Sequence, residues 1–415
     1  METKRRNKRH FVTIALLTVV VLMPAATSVA IGDLASATAE RLGEGWVATI
    51  AFSPDGSVIA AAHRTDLTSA RWATQNVTLW DPQTRAQVVE LNVRGVRVMA
   101  FSPDATILAL GRRASGGNTI HLWDVAGQKE VGVIRTPSGV EALAFSPDGK
   151  TLAAPAPESG GGTTRLWDVQ SLEQIGAVTA TWARSVAFSP DGKLLVTAGT
   201  RGNMDDTAIK LWDVETLAHV GSLTGHLGAT YDLAFNTDGT LLASAGDFDD
   251  KAVYLWDMPT QTQMGVLGGH PAHVGSVAFS PDGNLLASTS FWEPAVFLWD
   301  VQTQTQVGLL TDHDVSSGLG WRHEVAFSPD GKWLACSSGN GVELWELMAP
   351  SVADFNGDGA VDIDDLLRLI ESWGLNDPLV DIGPMPWGDG IVDAKDVLVL
   401  AEYMVEHASD ADDIQ

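Results

Sequence analysis

The chain contains one cysteine, Cys336, in 415 residues, so no internal disulfide can staple it. Positive charge is scarce: 26 Lys and Arg stand against 52 Asp and Glu, a net charge of −26. Proteins that bind nucleic acid without sequence preference need the opposite field to displace counterions from phosphates, so no nucleic-acid partner is expected. Charged residues make up only 19%, but the 45% of hydrophobic residues is enough apolar surface for a packed core and excludes wholesale disorder. Catalytic signatures are missing as well. The sequence has no Gly-x-Ser-x-Gly, no His-Glu-x-x-His and no Gly-x-x-x-x-Gly-Lys phosphate loop, and its ten His are dispersed. No residue is therefore assigned a catalytic role.

Long apolar runs are rare, and the most prominent lies at the start. Lys4, Arg5, Arg6, Lys8 and Arg9 precede the run Phe11–Met23, and Ser28-Val29-Ala30 follows as a small–x–small site. A basic head, a short apolar middle and small residues at the end are the parts of a secretory signal peptide. Residues 1–30 are read as that leader, with an uncleaved membrane anchor as the other reading of the same run. Cleavage removes five basic groups and one acidic one, moving the net charge from −26 to −30. The expected product is exported, extracellular, surface-bound or periplasmic, and free of the membrane.

What is abundant is a repeat. A phrase close to Ala-Phe-Ser-Pro-Asp-Gly recurs seven times, with Phe at 52, 101, 145, 188, 235, 279 and 327. Each copy is answered by Leu-Trp-Asp or a relative, with Trp at 80, 123, 167, 212, 256, 299 and 345. Val-Ala-Phe reads as a strand, with a small Ala where it packs closely on a neighbouring sheet. Ser-Pro-Asp-Gly is a turn, departed from at Ser102-Pro-Asp-Ala105 and Asn236-Thr-Asp-Gly239. Second, third and fourth strands follow, for example Leu194–Ala198, Ala208–Trp212 and Gln306–Leu310. Four short strands cannot bury both their faces alone, so the units must stack, and seven stacked radially make a β-propeller.

These residues resemble the WD-repeat family over about three quarters of the chain. The resemblance implies structural Trp residues and an internal tetrad of Asp, His, Ser or Thr, and Trp; the fifth unit has candidates for all four, His226, Ser244, Asp250 and Trp256. It also implies that the last blade borrows a strand from the other chain end. The seventh unit lacks a fourth strand, because Ala349-Pro350 arrive where it should be, so Ala37–Leu42 is predicted to complete it. In this family the face opposite the Pro-Asp-Gly turns takes peptides or partner proteins. On that face the candidate residues are Trp46, Arg97, Trp182, Arg184, Tyr231, Trp292, Trp321 and Arg322, aromatics and arginines of the kind enriched at interfaces. The same aromatics could instead simply plug the channel mouth.

After Pro350 the pattern changes. Asp354, Asn356, Asp358, Asp362 and Asp365 stand at positions 1, 3, 5, 9 and 12 of a loop, with Gly359 at position 6 and the Ala360 carbonyl at position 7. That is the EF-hand arrangement for Ca²⁺. A second, incomplete copy offers Asp389, the Ile391 carbonyl, Asp393 and Asp396, with Asp381 looping back as a first ligand. One calcium ion is expected, and a second at this copy. The two loop–helix units resemble the type I dockerin family. That resemblance implies contacts to a cohesin-like partner or cell-surface receptor through Ile363, Asp364, Ala394 and Lys395.

The fold expected is mainly β: a seven-bladed propeller over 31–349, then a small α-helical calcium domain over 350–407 and an acidic tail over 408–415. The function expected is an exported, non-catalytic binding scaffold for protein, peptide or glycan, tethered through calcium. The competing reading is an extracellular propeller hydrolase or lactonase, or an accessory to polysaccharide degradation, using charged residues at the strand entrances (Arg97, Glu141, Arg184, Asp232, Glu324). The oligomeric state is left open.

Overall fold

The Phe and Trp phrases fold as paired landmarks of one unit. In the fifth, Thr230–Phe235 is the inner strand, followed outward by Leu241–Gly246, Ala252–Asp257 and Thr262–Gly268, all antiparallel. Seven such four-stranded sheets occur. Their inner strands contact one another in sequence, and the last contacts the first, which makes a closed seven-bladed propeller. Counting from Trp46, blades one to six end at Leu91, Thr136, Thr179, Leu223, Gly268 and Leu310. The computed structural model describes residues 39–64, 76–114, 117–158, 161–179, 182–199, 207–291, 293, 295–311 and 323–347. Among these residues there is no helix. Residues 1–30, read as a leader, and the whole segment read as a calcium module lie outside them.

Both turn phrases are explained by carboxylates that bind their own loops. In blade one the Ser53 hydroxyl donates to Asp55 at 2.6 Å, and Asp55 also accepts the Ser57 N–H. The Ser53 oxygen then accepts the Val58 N–H at 3.0 Å, just before the second strand begins. Gly56 closes the turn at φ +72°, and at the equivalent site Ala105 is held at φ 59°, so that departure keeps the left-handed geometry at a cost that glycine avoids. At the other departure Asn236 replaces the serine, and its side-chain oxygen accepts the Leu241 N–H at 2.9 Å. The Asp of Leu-Trp-Asp has a similar task. Asp81, Asp168 and Asp213 each accept backbone N–H groups two or three residues on, shaping the turn into the fourth strand. In blade seven the third strand ends at Glu346, and the described residues end at Leu347.

The ring is closed by the N-terminal segment. Glu40–Leu42 pairs with Gly341–Glu346, Leu42 opposite Val342. The predicted closing strand is thus found over its last three residues; Ala37 and Thr38 lie outside the described set. Leu42 packs with Val47, Ile50, Trp333 and Leu344 in a core shared by blades seven and one. Arg41 reaches the fully buried Glu343 at 3.7 Å, and Arg85 of blade one bonds Glu40 at 2.5 Å and lies 4.3 Å over the Trp333 ring. Between other blades the cores also straddle neighbours, and Ala51, Ala100, Ala144, Ala187 and Ala234 pack half-buried against them.

A second inter-blade device was not anticipated from the sequence. The fifth residue after the Trp is left-handed in blades one to six: Arg85, Gln128, Leu172, Leu217, Gln261 and Gln304. From that position Leu172 presses on Gly132 of the preceding blade's outer strand, and Gln261 on Gly221; a Cβ on these glycines would lie 2.8 and 2.5 Å from them. Blade three departs most from the pattern. Its inner strand is reduced to Ala144–Phe145, because the neighbouring strand carries Pro155 and Pro157, which have no N–H to donate.

Candidate functional site

The inner strands converge on the loop face with a shared irregularity. In blades two, four, five and six the pairing slips by one residue, leaving Arg97, Arg184, Tyr231 and Gly275 as the extra residue. A bulge of this kind re-aims a side chain and is a recurrent feature beside functional sites. Three of the residues singled out in the sequence occupy it. Arg97 lies 4.0 Å from Glu141, the equivalent residue of blade three. The Arg184 guanidinium stands 5.2 Å over the Tyr231 ring, a cation–π contact from blade four to blade five.

Tyr231 begins an aromatic run. It is buried and stacks on His273 at 5.5 Å. Phe291 lies 4.0 Å from His273 and 5.5 Å from Tyr231, and Phe248 meets the edge of His273 at 4.2 Å. Phe248 is 50% exposed and Leu227 69%. Both rise from one bonded pair of loops, where Ala229 N–H donates to Asp247 and Leu227 N–H to Asp250. Phe248, Phe291 and Leu227 were not among the candidates chosen from the sequence. A signal was available in the apolar residues flanking polar loop residues.

Trp46 and Trp182, which each stand six residues before their inner-strand Phe, differ from each other. Trp46 is 8% exposed, so it presents little surface to a partner, while Trp182 is 38% exposed and held at φ 46°. A bulky residue in that conformation is strained, a feature that clusters at binding sites. Trp292, Trp321 and Arg322 lie outside the described residues.

The charged strand-entrance residues are engaged between blades. Asp232 accepts from the Ser276 hydroxyl at 2.8 Å and the Val277 N–H at 3.1 Å, both in the next blade. Glu324 accepts from the Thr49 hydroxyl at 2.6 Å and the Ile50 N–H at 3.1 Å, tying blade seven to blade one. These carboxylates work as latches between neighbouring blades around the inner ring.

The tetrad proposed for blade five is present. His226 bonds Asp250 through Nδ1 at 2.7 Å and Ser244 through Nε2 at 2.7 Å, and Trp256 Nε1–H donates to Ser244 at 2.8 Å. Burial by itself would raise the Asp250 carboxyl, but hydrogen bonds from His226 and the Leu227 N–H hold it below its ordinary value. The Tyr254 phenol is pushed up to about 12, by burial first and then by the Asp250 charge. Blade six has a shorter version: His270 bonds Ser288 at 2.9 Å, and Trp299 donates to Ser288 at 2.7 Å. Burial pushes the His270 imidazole down to about 4. In blade four, Trp212 donates to Thr197 at 2.9 Å. These are scaffold networks, consistent with the structural role expected for the repeat tryptophans.

Among the described residues no group of His, Cys, Asp and Glu is arranged to hold a metal. The residues expected from the sequence to bind calcium, Asp354, Asn356, Asp358, Ala360, Asp362, Asp365, Asp381, Asp389, Ile391, Asp393 and Asp396, lie outside that set. So do Ile363, Asp364, Ala394 and Lys395, the positions expected to dock a partner.

Comparison with known families supports the repeat. Residues 217–257, 261–300 and 305–346 match the WD domain, G-beta repeat. Each matched stretch starts at or just before the outer strand of one blade and ends with the third strand of the next, so one sequence repeat couples two blades. Residues 117–227 match eukaryotic translation initiation factor eIF2A, over blades two to four. No curated protein matches the chain.

Proposed function

We propose that this WD-repeat propeller is an exported binding scaffold without chemistry of its own, holding a protein or peptide on its loop face and tethered through a C-terminal calcium module. WD-repeat propellers generally mediate protein–protein interaction, and the ring here is built for rigidity. Its blades are latched by Asp232 and Glu324 and closed by Glu40–Leu42. The observation that carries the binding reading is the loop face itself, where bulged Arg and Tyr side chains adjoin exposed Trp182, Phe248 and Leu227. Engagement of the strand-entrance carboxylates in latches favours this reading over a hydrolase.

The tether rests on the sequence. Asp354, Asn356, Asp358, Asp362 and Asp365 supply hard oxygen donors at the spacing Ca²⁺ takes, with the Ala360 carbonyl between them. Calcium would neutralise carboxylates that otherwise repel one another across a tight loop. Asp381, Asp389, Ile391, Asp393 and Asp396 would hold a second ion, and Ile363, Asp364, Ala394 and Lys395 would meet a cohesin-like or surface receptor. The eIF2A match falls on blades and is read as likeness of architecture; the acidic charge of −26 and the leader-like N-terminus point away from a role on RNA.

Fractionation of the producing cells tests the proposal. The expected result is a chain processed near Ala30, outside the cytoplasm, retained on a surface or partner fraction in calcium and released by chelator. An unprocessed cytoplasmic chain, or retention indifferent to chelator, contradicts it.

A further inference from the structure

Among the described residues, the loop face carries a run of apolar side chains over blades five and six. Leu227 and Phe248 project from the two hydrogen-bonded loops at the top of blade five. Phe291 continues the surface onto blade six, through His273. Beneath them Tyr231 and His273 are buried and stacked, so the exposed side chains stand on a rigid base. Large apolar side chains fixed in water over a packed support have the properties of interface anchors.

The charges around this ridge are unequal. Asp247 and Asp249 flank Phe248 directly, Asp250 lies one residue further, and Glu293 lies two residues beyond Phe291. Among the described residues, the cations close by in sequence or by contact are Lys251 and Arg184, and Arg184 is turned onto Tyr231. Asp249 is exposed, and Asp250 is bonded to His226. The chain as a whole carries −26, so its field attracts cationic partners and repels acidic ones.

We infer that Leu227, Phe248 and Phe291 form a docking ridge for a cationic segment of a partner protein, in which Lys or Arg side chains flank an apolar anchor. The anchor covers Phe248 and Leu227, and the flanking cations meet Asp249 and Glu293. This inference rests on the reading of the loop face as a binding surface and specifies the chemistry of what binds.

Panning a displayed random-peptide library against the full chain tests it, followed by affinity measurement of the enriched peptides as synthetic probes. Enriched peptides are expected to carry Lys or Arg beside an aromatic or aliphatic residue. Their affinity should fall about tenfold or more in Phe248→Ala and in Leu227→Ala. It should also weaken with added salt and on charge reversal by Asp249→Lys. Circular dichroism of each variant should match the parent, and the exposed Leu227 gives a variant that leaves the core untouched. Enrichment of acidic or neutral peptides, or equal binding by Phe248→Ala and Leu227→Ala, overturns the ridge while leaving the loop face as a binding surface. No enriched peptide at all overturns both readings.

Discussion

In blades one, two and four to seven, whether the repeat tryptophan is satisfied follows one side chain, the ninth residue after the inner-strand Phe. Thr197, Ser244 and Ser288 occupy it in blades four, five and six, and each accepts an indole N–H. Ala61, Leu110 and Cys336 occupy it in blades one, two and seven, and there the Nε1 of Trp80, Trp123 and Trp345 has no partner. An orphaned buried donor costs roughly 1–3 kcal/mol. Ser244→Ala and Ser288→Ala should therefore each lower stability by about that amount in urea titrations, whereas Cys336→Ser should raise it. A neutral result for all three would contradict the assignment. Reading the sequence for a complete tetrad found blade five and passed over blades four and six, because it required His and Asp together; the hydroxyl alone was the legible signal. His270 gives the pH dependence. Its imidazole titrates near 6.5 when unfolded and about 4 in the fold. The fold favours the neutral ring, so the unfolded chain binds the extra proton between those values and stability rises with pH across them. The contribution is complete above about 6.5 and is lost as pH falls toward 4, at up to ~1.4 kcal/mol per pH unit. His270→Gln should flatten this slope in urea titrations between pH 7 and 4; an unchanged slope would exclude His270 as its source.

At the scale of strands, closure was legible because a missing partner is a countable defect. Blade seven lacked a fourth strand, and Glu40–Leu42 supplies it. The strand is short and its weight falls on Leu42, which is 1% exposed in the core shared by blades seven and one. Leu42→Asp buries an unpaired carboxylate there and should cost about 3 kcal/mol or more. The loss should appear as early urea unfolding, with faster amide exchange in Gly341–Glu346 than in blade five. Uniform exchange across blades would mean that closure does not limit stability. The bulges and the glycine seats escaped sequence reading for a physical reason. A bulge shifts register without changing residue type, and Gly132 or Gly221 makes sense only once the left-handed Leu172 or Gln261 of the next blade is in place. The prolines of blade three were visible as a composition, but their effect on the inner strand required knowing which strand they pair with.

For the whole molecule, the repeat register of Phe and Trp was sufficient to give seven blades and a ring. The candidate site was less legible. Arg97, Arg184 and Tyr231 stood out as arginine and aromatic residues near the channel, and the bulges bring them together with neighbours. Trp46 looked equivalent to Trp182 by spacing, yet it is buried where Trp182 is exposed, because offset along a strand does not report which side chain the local packing encloses. The ring provides rigidity and a surface, and the proposed function needs a second grip, the calcium loops. Isothermal titration of the full chain with calcium tests that most directly. The account predicts two ions per chain, bound with dissociation constants of about 10⁻⁴–10⁻³ M, the range of extracellular modules. The first is lost in Asp354→Ala with Asp358→Ala, and the propeller's unfolding transition is unchanged by that substitution. No calcium uptake, or uptake unaffected by those substitutions, would contradict it.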